Sequence, residues 1–201
     1  MAPALVLASA SPRRSALLAA RGVPFEVQVS HVDEDGVTAP SAGELAMELA
    51  RRKAQAVAER LGPGPRWVLG ADTVVALGED PGARLLGKPE GPEHAQAMLE
   101  ALSGSRHRVI TGVCVVRAED GAQFVSQECT IVSMRTITPA EVQAYVVSGE
   151  WQDKAGGYAI QETADAFVTG LEGGGFDNVV GLPVDLVLAL LARSGLVLPP
   201  A

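Results

Sequence analysis

The chain has 201 residues, a formal net charge of −8 and 47% hydrophobic residues, a composition typical of a globular enzyme and unlike that of a disordered or fibrous chain. The excess of acidic side chains argues against a general nucleic-acid binder and a membrane-surface protein. The first residues lack the pattern of a secretory signal, and the apolar run at 186–192 is too short to span a bilayer. We therefore expect a cytoplasmic protein that forms a single domain over 1–201.

The first predicted elements are a short buried strand over 4–8 and a helix that begins at Ser11-Pro12. Serine is a good N-cap, and proline is favoured at the first helical position. The turn between them directs free backbone N–H groups, together with Arg13 and Arg14, toward one spot. Because cations near a helix N-terminus oppose the helix dipole, these arginines indicate a site for an anion.

The rest of the chain alternates between helical and strand patterns. They predict, in order, a strand at 25–29, a helix at 41–61, a strand at 67–77, a helix at 92–102, a hairpin of strands at 107–117 and 124–136, a helix at 138–149, short strand pieces from 156 to 181, with another short strand ending at Gln161, and a closing helix at 183–194. This order predicts an α/β fold with a mixed sheet and helices on its faces.

The two cysteines, Cys114 and Cys129, have no Cys-x-x-Cys or histidine partner pattern around them, which argues against a zinc site. Both lie within alternating strand patterns. We therefore expect two buried thiols.

Asp72 lies in the middle of the apolar run at 67–77. A buried carboxylate is costly unless it is paired, hydrogen-bonded or bound to a metal. Asp72 is therefore either a turn-capping residue at the end of the strand, or a metal ligand or general base in a cleft at the edge of the sheet. An ordinary aspartate, with a pKa of about 3.9, is a weak base at neutral pH, so the second role needs desolvation or a metal-bound water.

Four further features contain side chains that are candidates for a binding site. Asp33 and Glu34 are either solvated loop residues or oxygen ligands of the kind that Mg²⁺ and Mn²⁺ prefer. Lys53 lies between alanines at helical spacing, so it leans toward the apolar side of its helix. Lys88 sits in a Gly-Lys-Pro turn. The amide of Gln161 is either surface polarity or the donor and acceptor pair that reads an imide-type base edge.

Two common site motifs are missing from the sequence. No Gly-x-x-x-x-Gly-Lys run occurs, which excludes a Walker-type phosphate loop. The three histidines lie apart and no Gly-x-Ser-x-Gly elbow occurs, so serine-hydrolase chemistry has little support.

Together these motifs resemble the Maf family of nucleoside-triphosphate pyrophosphatases. The resemblance covers nearly the whole chain, in order, and rests on the segments 7–14, 33–34, 53–54, 70–75, 86–89, 102–104, 111–113, 153–158, 161 and 178–183. It implies an elongated α/β fold with a mixed sheet flanked by helices and two lobes around a deep cleft. It also implies hydrolysis of a nucleoside triphosphate to the monophosphate and pyrophosphate, with a divalent cation, Mg²⁺ or Mn²⁺.

The resemblance also implies roles for individual residues. Asp72 matches the proton acceptor of the family and Glu34 a metal-associated position, so both are candidate metal ligands. The phosphate-binding set of the family is matched by Ser9, Arg13, Arg14, Lys53 and Lys88. The positions that separate a branch acting on dTTP and UTP from a branch acting on 7-methyl-GTP are matched by Arg13, Thr73 and Gln161. The residues present look like the dTTP/UTP branch.

Two alternatives stay open at the level of sequence. One is a 7-methyl-GTP pyrophosphatase, and the other is a nucleotide-binding regulator of septum formation without essential turnover. Glu162 follows Gln161 where the family commonly has glycine, which bears on base selectivity and leaves the reaction class unaffected. The resemblance further implies a nucleoside triphosphate as the partner molecule and makes a homodimer plausible.

Overall fold

The computed structural model describes residues 4–198. Its strands are β1 (Leu5–Leu7), β2 (Phe25–Val27), β3 (Trp67–Leu77), β4 (Arg84–Leu86), β5 (Arg106–Arg117), β6 (Gln123–Met134) and β7 (Val168–Glu172). Its α-helices are α1 (Pro12–Ala19), α2 (Ala42–Leu61), α3 (Pro92–Leu102), α4 (Pro139–Ser148), α5 (Phe176–Val180) and α6 (Val184–Arg193). Two short 3₁₀ helices cover Ala155–Gly157 and Thr163–Phe167.

All seven strands belong to one mixed sheet with the order β2-β1-β3-β5-β6-β7, and β4 pairs with β3. The pairs β2–β1 and β1–β3 are parallel, whereas the remaining pairs are antiparallel. The hairpin of β5 and β6 turns at Asp120-Gly121, where Gly121 has a φ of +74°. The predicted α/β class with a mixed sheet flanked by helices is confirmed.

Strand β3 has two different partners along one of its edges. There β1 pairs with residues 67–69 and β4 pairs with residues 75–77. Along the other edge, β5 pairs with the full length of β3. Residues 70–74 therefore lie between two partner strands, and this interval is where the cleft opens.

The two faces of the sheet are covered differently. Helix α2 packs on one face, against alternate residues such as Val68 and Val74. On the other face the apolar residues form two separate cores. One lies around β1 and α6, with Leu69 and Val113, and the other lies around α3 and α4, with Val75. The two cores correspond to the two expected lobes.

Helix α2 approaches the sheet closely because two glycines lie beneath it. A Cβ added at Gly70 would lie 2.2 Å from the carbonyl oxygen of Ala50, and one added at Gly112 would lie 2.3 Å from that of Ala46. Gly112 pairs with Asp72 across β3 and β5, and Gly70 precedes Asp72 on the same face of β3. Because the glycines allow α2 to lie close to the sheet, the Lys53 side chain of α2 reaches the Asp72 carboxylate.

Two expectations from the sequence are wrong. No strand ends at Gln161: this part of the described chain forms a 3₁₀ turn and irregular structure, because Gly156 and Gly157 have φ values of +73° and +69° that an extended strand does not allow. Cys129 is exposed, since it lies on the outward face of β6, whereas Cys114 is buried as expected.

Within residues 4–198, the helices are too short or too polar for any of them to cross a bilayer.

Candidate active site

A cleft of about 920 Å³ opens beside the middle of β3, between the two lobes. Its walls come from the turn after β1, the start of α1, the loop before α2, the loop between β4 and α3, and residues 152–161. The lining includes all nine residues to which the family resemblance gives a role, namely Ser9, Arg13, Arg14, Glu34, Lys53, Asp72, Thr73, Lys88 and Gln161. Asp33 is absent from this lining, and its Oδ1 instead accepts a hydrogen bond from the Asp35 backbone N–H at 2.9 Å.

The centre of the cleft is an ionic cluster of three side chains. The Lys53 Nζ, from α2, lies 2.6 Å from Asp72 Oδ1 and 2.8 Å from Glu34 Oε1. Lys53 and Asp72 are only 8% and 7% exposed, whereas Glu34 is exposed at the mouth of the cleft. Burial raises the pKa of the Asp72 carboxyl above its usual value, although the charges of Lys53 and Arg14 act in the opposite direction. Asp72 is therefore a better proton acceptor than an exposed aspartate.

The two carboxylates of this cluster fit a small divalent cation. Glu34 and Asp72 both approach one ammonium group, so the cleft already brings their oxygens around a single positive charge. Mg²⁺ is commonly held by one or two carboxylates together with substrate phosphates. No group of three or more His, Cys, Asp or Glu side chains suited to a metal occurs among the described residues. The donor set therefore suits a cation that the substrate helps to hold.

Arg14 is held in place by three acceptors on different segments. Its Nε donates to the carbonyl oxygen of Gly181 at 2.8 Å, its Nη2 donates to Thr73 Oγ1 at 3.1 Å, and its Nη1 donates to Ser9 Oγ at 3.4 Å. All three acceptors are uncharged. Burial lowers the pKa of Arg14, with Asp72 opposing this effect, and the guanidinium remains a cation at neutral pH.

The start of α1 has the form expected of an anion site. The Ser11 side chain accepts from the Arg14 backbone N–H at 3.4 Å, and Ser9 Oγ accepts from the Ser11 backbone N–H at 3.2 Å. The first turn of this eight-residue helix contains no acidic residue. Arg13 also lines the cleft, so the cations and the positive end of the helix dipole face the same space.

A series of hydrogen bonds connects the Arg14 guanidinium, through Thr73 on β3, to Thr111 on β5 and to the Asn178 carbonyl oxygen. Thr73 Oγ1 lies 3.0 Å from Thr111 Oγ1, and Thr111 Oγ1 donates to the Asn178 carbonyl oxygen at 2.9 Å. We assigned no role to Thr111 from the sequence. Thr111 belongs to the segment 111–113 that carries the resemblance, but its pairing with Thr73 is seen only in the register of β5 and β3.

Lys88 and Gln161 lie on the exposed walls of the cleft. The two loops that carry them are joined by a hydrogen bond from the Gly156 backbone N–H to the Gly87 carbonyl oxygen at 2.9 Å. The loop that carries Gln161 also contains Lys154, two residues before Gly156. Lys154 is a buried cation to which the sequence analysis gave no role.

Comparison with known proteins identifies the family of the chain. The family model described as Maf-like protein matches residues 4–194. The chain belongs to the Maf family. Among curated proteins, the dTTP/UTP pyrophosphatase of Myxococcus xanthus is 49% identical over 199 residues, covering 97% of this chain and 94% of the relative.

Two more relatives of the Maf chain carry the same name. The dTTP/UTP pyrophosphatase of Moorella thermoacetica is 47% identical over 191 residues, covering 95% of each chain. That of Desulforamulus reducens is 45% identical over 191 residues, covering 95% of this chain and 96% of the relative.

Proposed function

We propose that this protein hydrolyses dTTP and UTP to the monophosphate and pyrophosphate. The observation that carries the proposal is the joint placement of a buried aspartate with a raised pKa and several cations in one cleft of about 920 Å³. A cleft of this size accommodates a nucleotide. Relatives that carry the name dTTP/UTP pyrophosphatase, 45–49% identical over nearly the whole chain, support the choice of substrate.

In the proposed reaction, water attacks the α-phosphorus of the nucleotide. The carboxylate of Asp72 accepts the proton of this water, a new P–O bond forms, and the bond from the α-phosphorus to the bridging oxygen breaks to release pyrophosphate. In the nucleotide-free protein, Lys53 holds the Asp72 carboxylate in place through its 2.6 Å contact. Arg13, Arg14 and Lys88 stabilise the negative charge on the phosphate chain.

The proposal includes a divalent cation, Mg²⁺ or Mn²⁺, that Glu34 and Asp72 would hold. When bound, such an ion supplies charge neutralisation and Lewis acidity at a phosphate oxygen. Lys53 already lies between the same two carboxylates, so it must share or leave this position when the ion binds. An ammonium that leaves the carboxylates becomes available to the phosphates.

Selectivity for the pyrimidine base is proposed to involve Arg13, Thr73 and Gln161. Gln161 lies exposed on the wall of the cleft, where its amide can pair with the imide edge of uracil or thymine. The Thr73 hydroxyl accepts from Arg14 and contacts Thr111. Thr73 therefore acts on selectivity through the orientation of Arg14 and not by a free hydroxyl.

The protein is further proposed to act in the cytoplasm as a single Maf-like domain over 1–201, without a nucleic-acid partner, and to form a homodimer. Sedimentation equilibrium tests the dimer, and a species of twice the mass of the 20.8 kDa chain is expected.

The test of the proposed function is pyrophosphate release from a panel of nucleotides with Mg²⁺, with Mn²⁺ and with EDTA. The panel contains dTTP, UTP, CTP, GTP and 7-methyl-GTP. We expect metal-dependent turnover that favours dTTP and UTP. Turnover of 7-methyl-GTP alone would leave the chemistry intact and contradict the substrate. Binding without turnover of any nucleotide would contradict the enzymatic proposal and favour a regulatory role in septum formation.

A further inference from the structure

Lys154 is a buried cation with little to compensate its charge. It is 8% exposed, and it lines the cleft outside the cluster of Glu34, Lys53 and Asp72. Within the described part of the chain, the polar contacts of its side-chain ammonium are the Gln152 carbonyl oxygen at 3.5 Å and a carboxylate oxygen of Glu162 at 3.7 Å. Both distances exceed those of a well-formed hydrogen bond.

A lysine carries three N–H donors, and burying an ammonium without strong acceptors is costly. The contrast with Lys53 is direct, because Lys53 is equally buried but has two carboxylate oxygens within 2.8 Å. The N–H donors of Lys154 therefore lack close acceptors in the free protein, and an anion in the cleft can accept hydrogen bonds from them.

The backbone around Lys154 is held in an unusual conformation by its neighbours. Asp153 has a φ of +59°, which is uncommon for a residue with a side chain, and Gly156 has a φ of +73°. A Cβ added at Gly156 would lie 3.1 Å from a methyl group of Val75 on β3. The Gly156 N–H also donates to the Gly87 carbonyl oxygen at 2.9 Å. These contacts fix Lys154 on the same wall of the cleft as Lys88, which follows Gly87.

The substrate contains one strongly anionic part. Uracil, thymine and the sugar are uncharged, so they offer a buried ammonium no ionic partner. Arg13 and Arg14 approach the cleft from the start of α1, whereas Lys88 and Lys154 approach it from the loops beside β4. Asp72 lies on β3 between β1 and β4, hence between these two groups of cations.

We propose that Lys154 binds the β- and γ-phosphates of the nucleotide, which leave as pyrophosphate, and that the phosphates displace the carboxylate of Glu162. This inference rests on the proposed function and adds a residue to the same site. Glu162 is half exposed and 3.7 Å away, so it screens the Lys154 charge weakly in the free protein and can move into solvent.

The experiment measures binding of inorganic pyrophosphate and of dTMP by isothermal titration calorimetry in the presence of Mg²⁺. For Lys154→Met we expect pyrophosphate affinity to fall by at least ~10-fold, the usual effect of losing one charge-assisted hydrogen bond, while dTMP affinity changes by less than about twofold. Lys154→Arg should restore most of the affinity for pyrophosphate. Glu162→Gln should tighten pyrophosphate binding, because it removes the competing charge.

Arg52→Met is the matched control, since Arg52 is an exposed cation on α2 outside the cleft and pairs with Glu48. It should leave both affinities unchanged. Unchanged pyrophosphate affinity in Lys154→Met, or equal losses for pyrophosphate and dTMP, would overturn the inference. If Lys154→Met does not fold, the two remaining variants decide: weakened binding in Glu162→Gln contradicts the proposal. If the wild-type protein does not hydrolyse dTTP, the proposed function itself is refuted.

Discussion

Thr73 and Thr111 face each other across β3 and β5 with their hydroxyl oxygens 3.0 Å apart. The direction of this hydrogen bond follows from the neighbours of the pair. Thr111 gives its single hydroxyl proton to the Asn178 carbonyl oxygen, so Thr73 must donate to Thr111. Thr73 Oγ1 is then left with lone pairs and accepts from Arg14. The three hydrogen bonds from Arg14 through Thr73 and Thr111 to the Asn178 carbonyl oxygen therefore run in one direction, which strengthens each of them.

Replacing Thr111 by valine should therefore disturb Arg14 without touching the cleft. Thr111→Val leaves the Thr73 hydroxyl without its acceptor and removes one of the two donors to the Asn178 carbonyl oxygen, which keeps the Gly181 N–H at 3.0 Å. We expect a loss of about 1–3 kcal/mol in the free energy of unfolding. We also expect a higher KM for dTTP. Urea denaturation and steady-state kinetics measure both effects. Thr111→Ser keeps the hydroxyl and should restore the KM; equal KM values in both variants would show that the chain does not orient Arg14.

Removing the proposed proton acceptor should abolish turnover and spare binding. We expect Asp72→Asn to bind dTTP and to lose at least ~10²-fold in kcat, the scale of general-base catalysis. In the wild-type protein, kcat/KM should rise with pH through the pKa of Asp72, which burial holds above the usual range. Pyrophosphate release across pH measures this. Full activity in the asparagine variant would refute the assignment.

Lys53 should compete with a divalent cation in the nucleotide-free protein, because its ammonium lies between Glu34 and Asp72. We expect Lys53→Met to bind Mn²⁺ about 10-fold more tightly than the wild-type protein, as seen in the free Mn²⁺ signal by electron paramagnetic resonance. Lys88→Met, which removes an exposed cation from the wall of the cleft, serves as the control and should change this affinity less. Weaker Mn²⁺ binding in Lys53→Met would contradict the prediction.

The amide of Gln161 should contribute to the choice of base. Gln161→Glu replaces the N–H donor with a second acceptor, and we expect kcat/KM for dTTP and UTP to fall by about 10-fold or more. The ratio of dTTP to 7-methyl-GTP turnover measures the effect. Gln152→Glu adds the same charge elsewhere on the cleft wall and should leave that ratio unaltered. An unchanged ratio in Gln161→Glu would remove Gln161 from the selectivity site.

The buried His107 should make stability depend on pH. Its side chain is 1% exposed, its Nε2 lies 2.9 Å from the Tyr158 hydroxyl, and burial lowers its pKa to about 4. Between pH of about 6.5 and about 4, the unfolded chain binds a proton at this position and the folded chain does not. The contribution of His107 to the free energy of unfolding should therefore be greatest above this window. It should decrease by about 3 kcal/mol as the pH falls through the window.

Denaturant unfolding of the wild-type protein and of His107→Gln between pH 4 and 8 measures this contribution. Other groups titrate in the same range, so the difference between the two proteins carries the result. That difference should change across the window, in the direction that favours the variant at low pH. Parallel curves for the two proteins would contradict the prediction.

Sequence patterns alone determined much of the architecture. The full range of β3, the N-caps at Ser11, Ser41 and Thr138, and the α/β class followed from local periodicity and capping, which depend on neighbours in the chain. The resemblance to known motifs supplied the nine candidate residues that line the cleft. Their individual roles stay predictions.

Only the tertiary structure decided which partners these residues have. Lys53 meets Asp72 because Gly70 and Gly112 allow α2 to lie close to the sheet, and such contacts depend on packing between distant segments. A 3₁₀ turn and irregular structure, with positive φ values at Gly156 and Gly157, occupy the segment before Gln161 where a strand was expected. The exposure of Cys129 was likewise beyond local pattern, because an alternating strand does not reveal which face another layer covers.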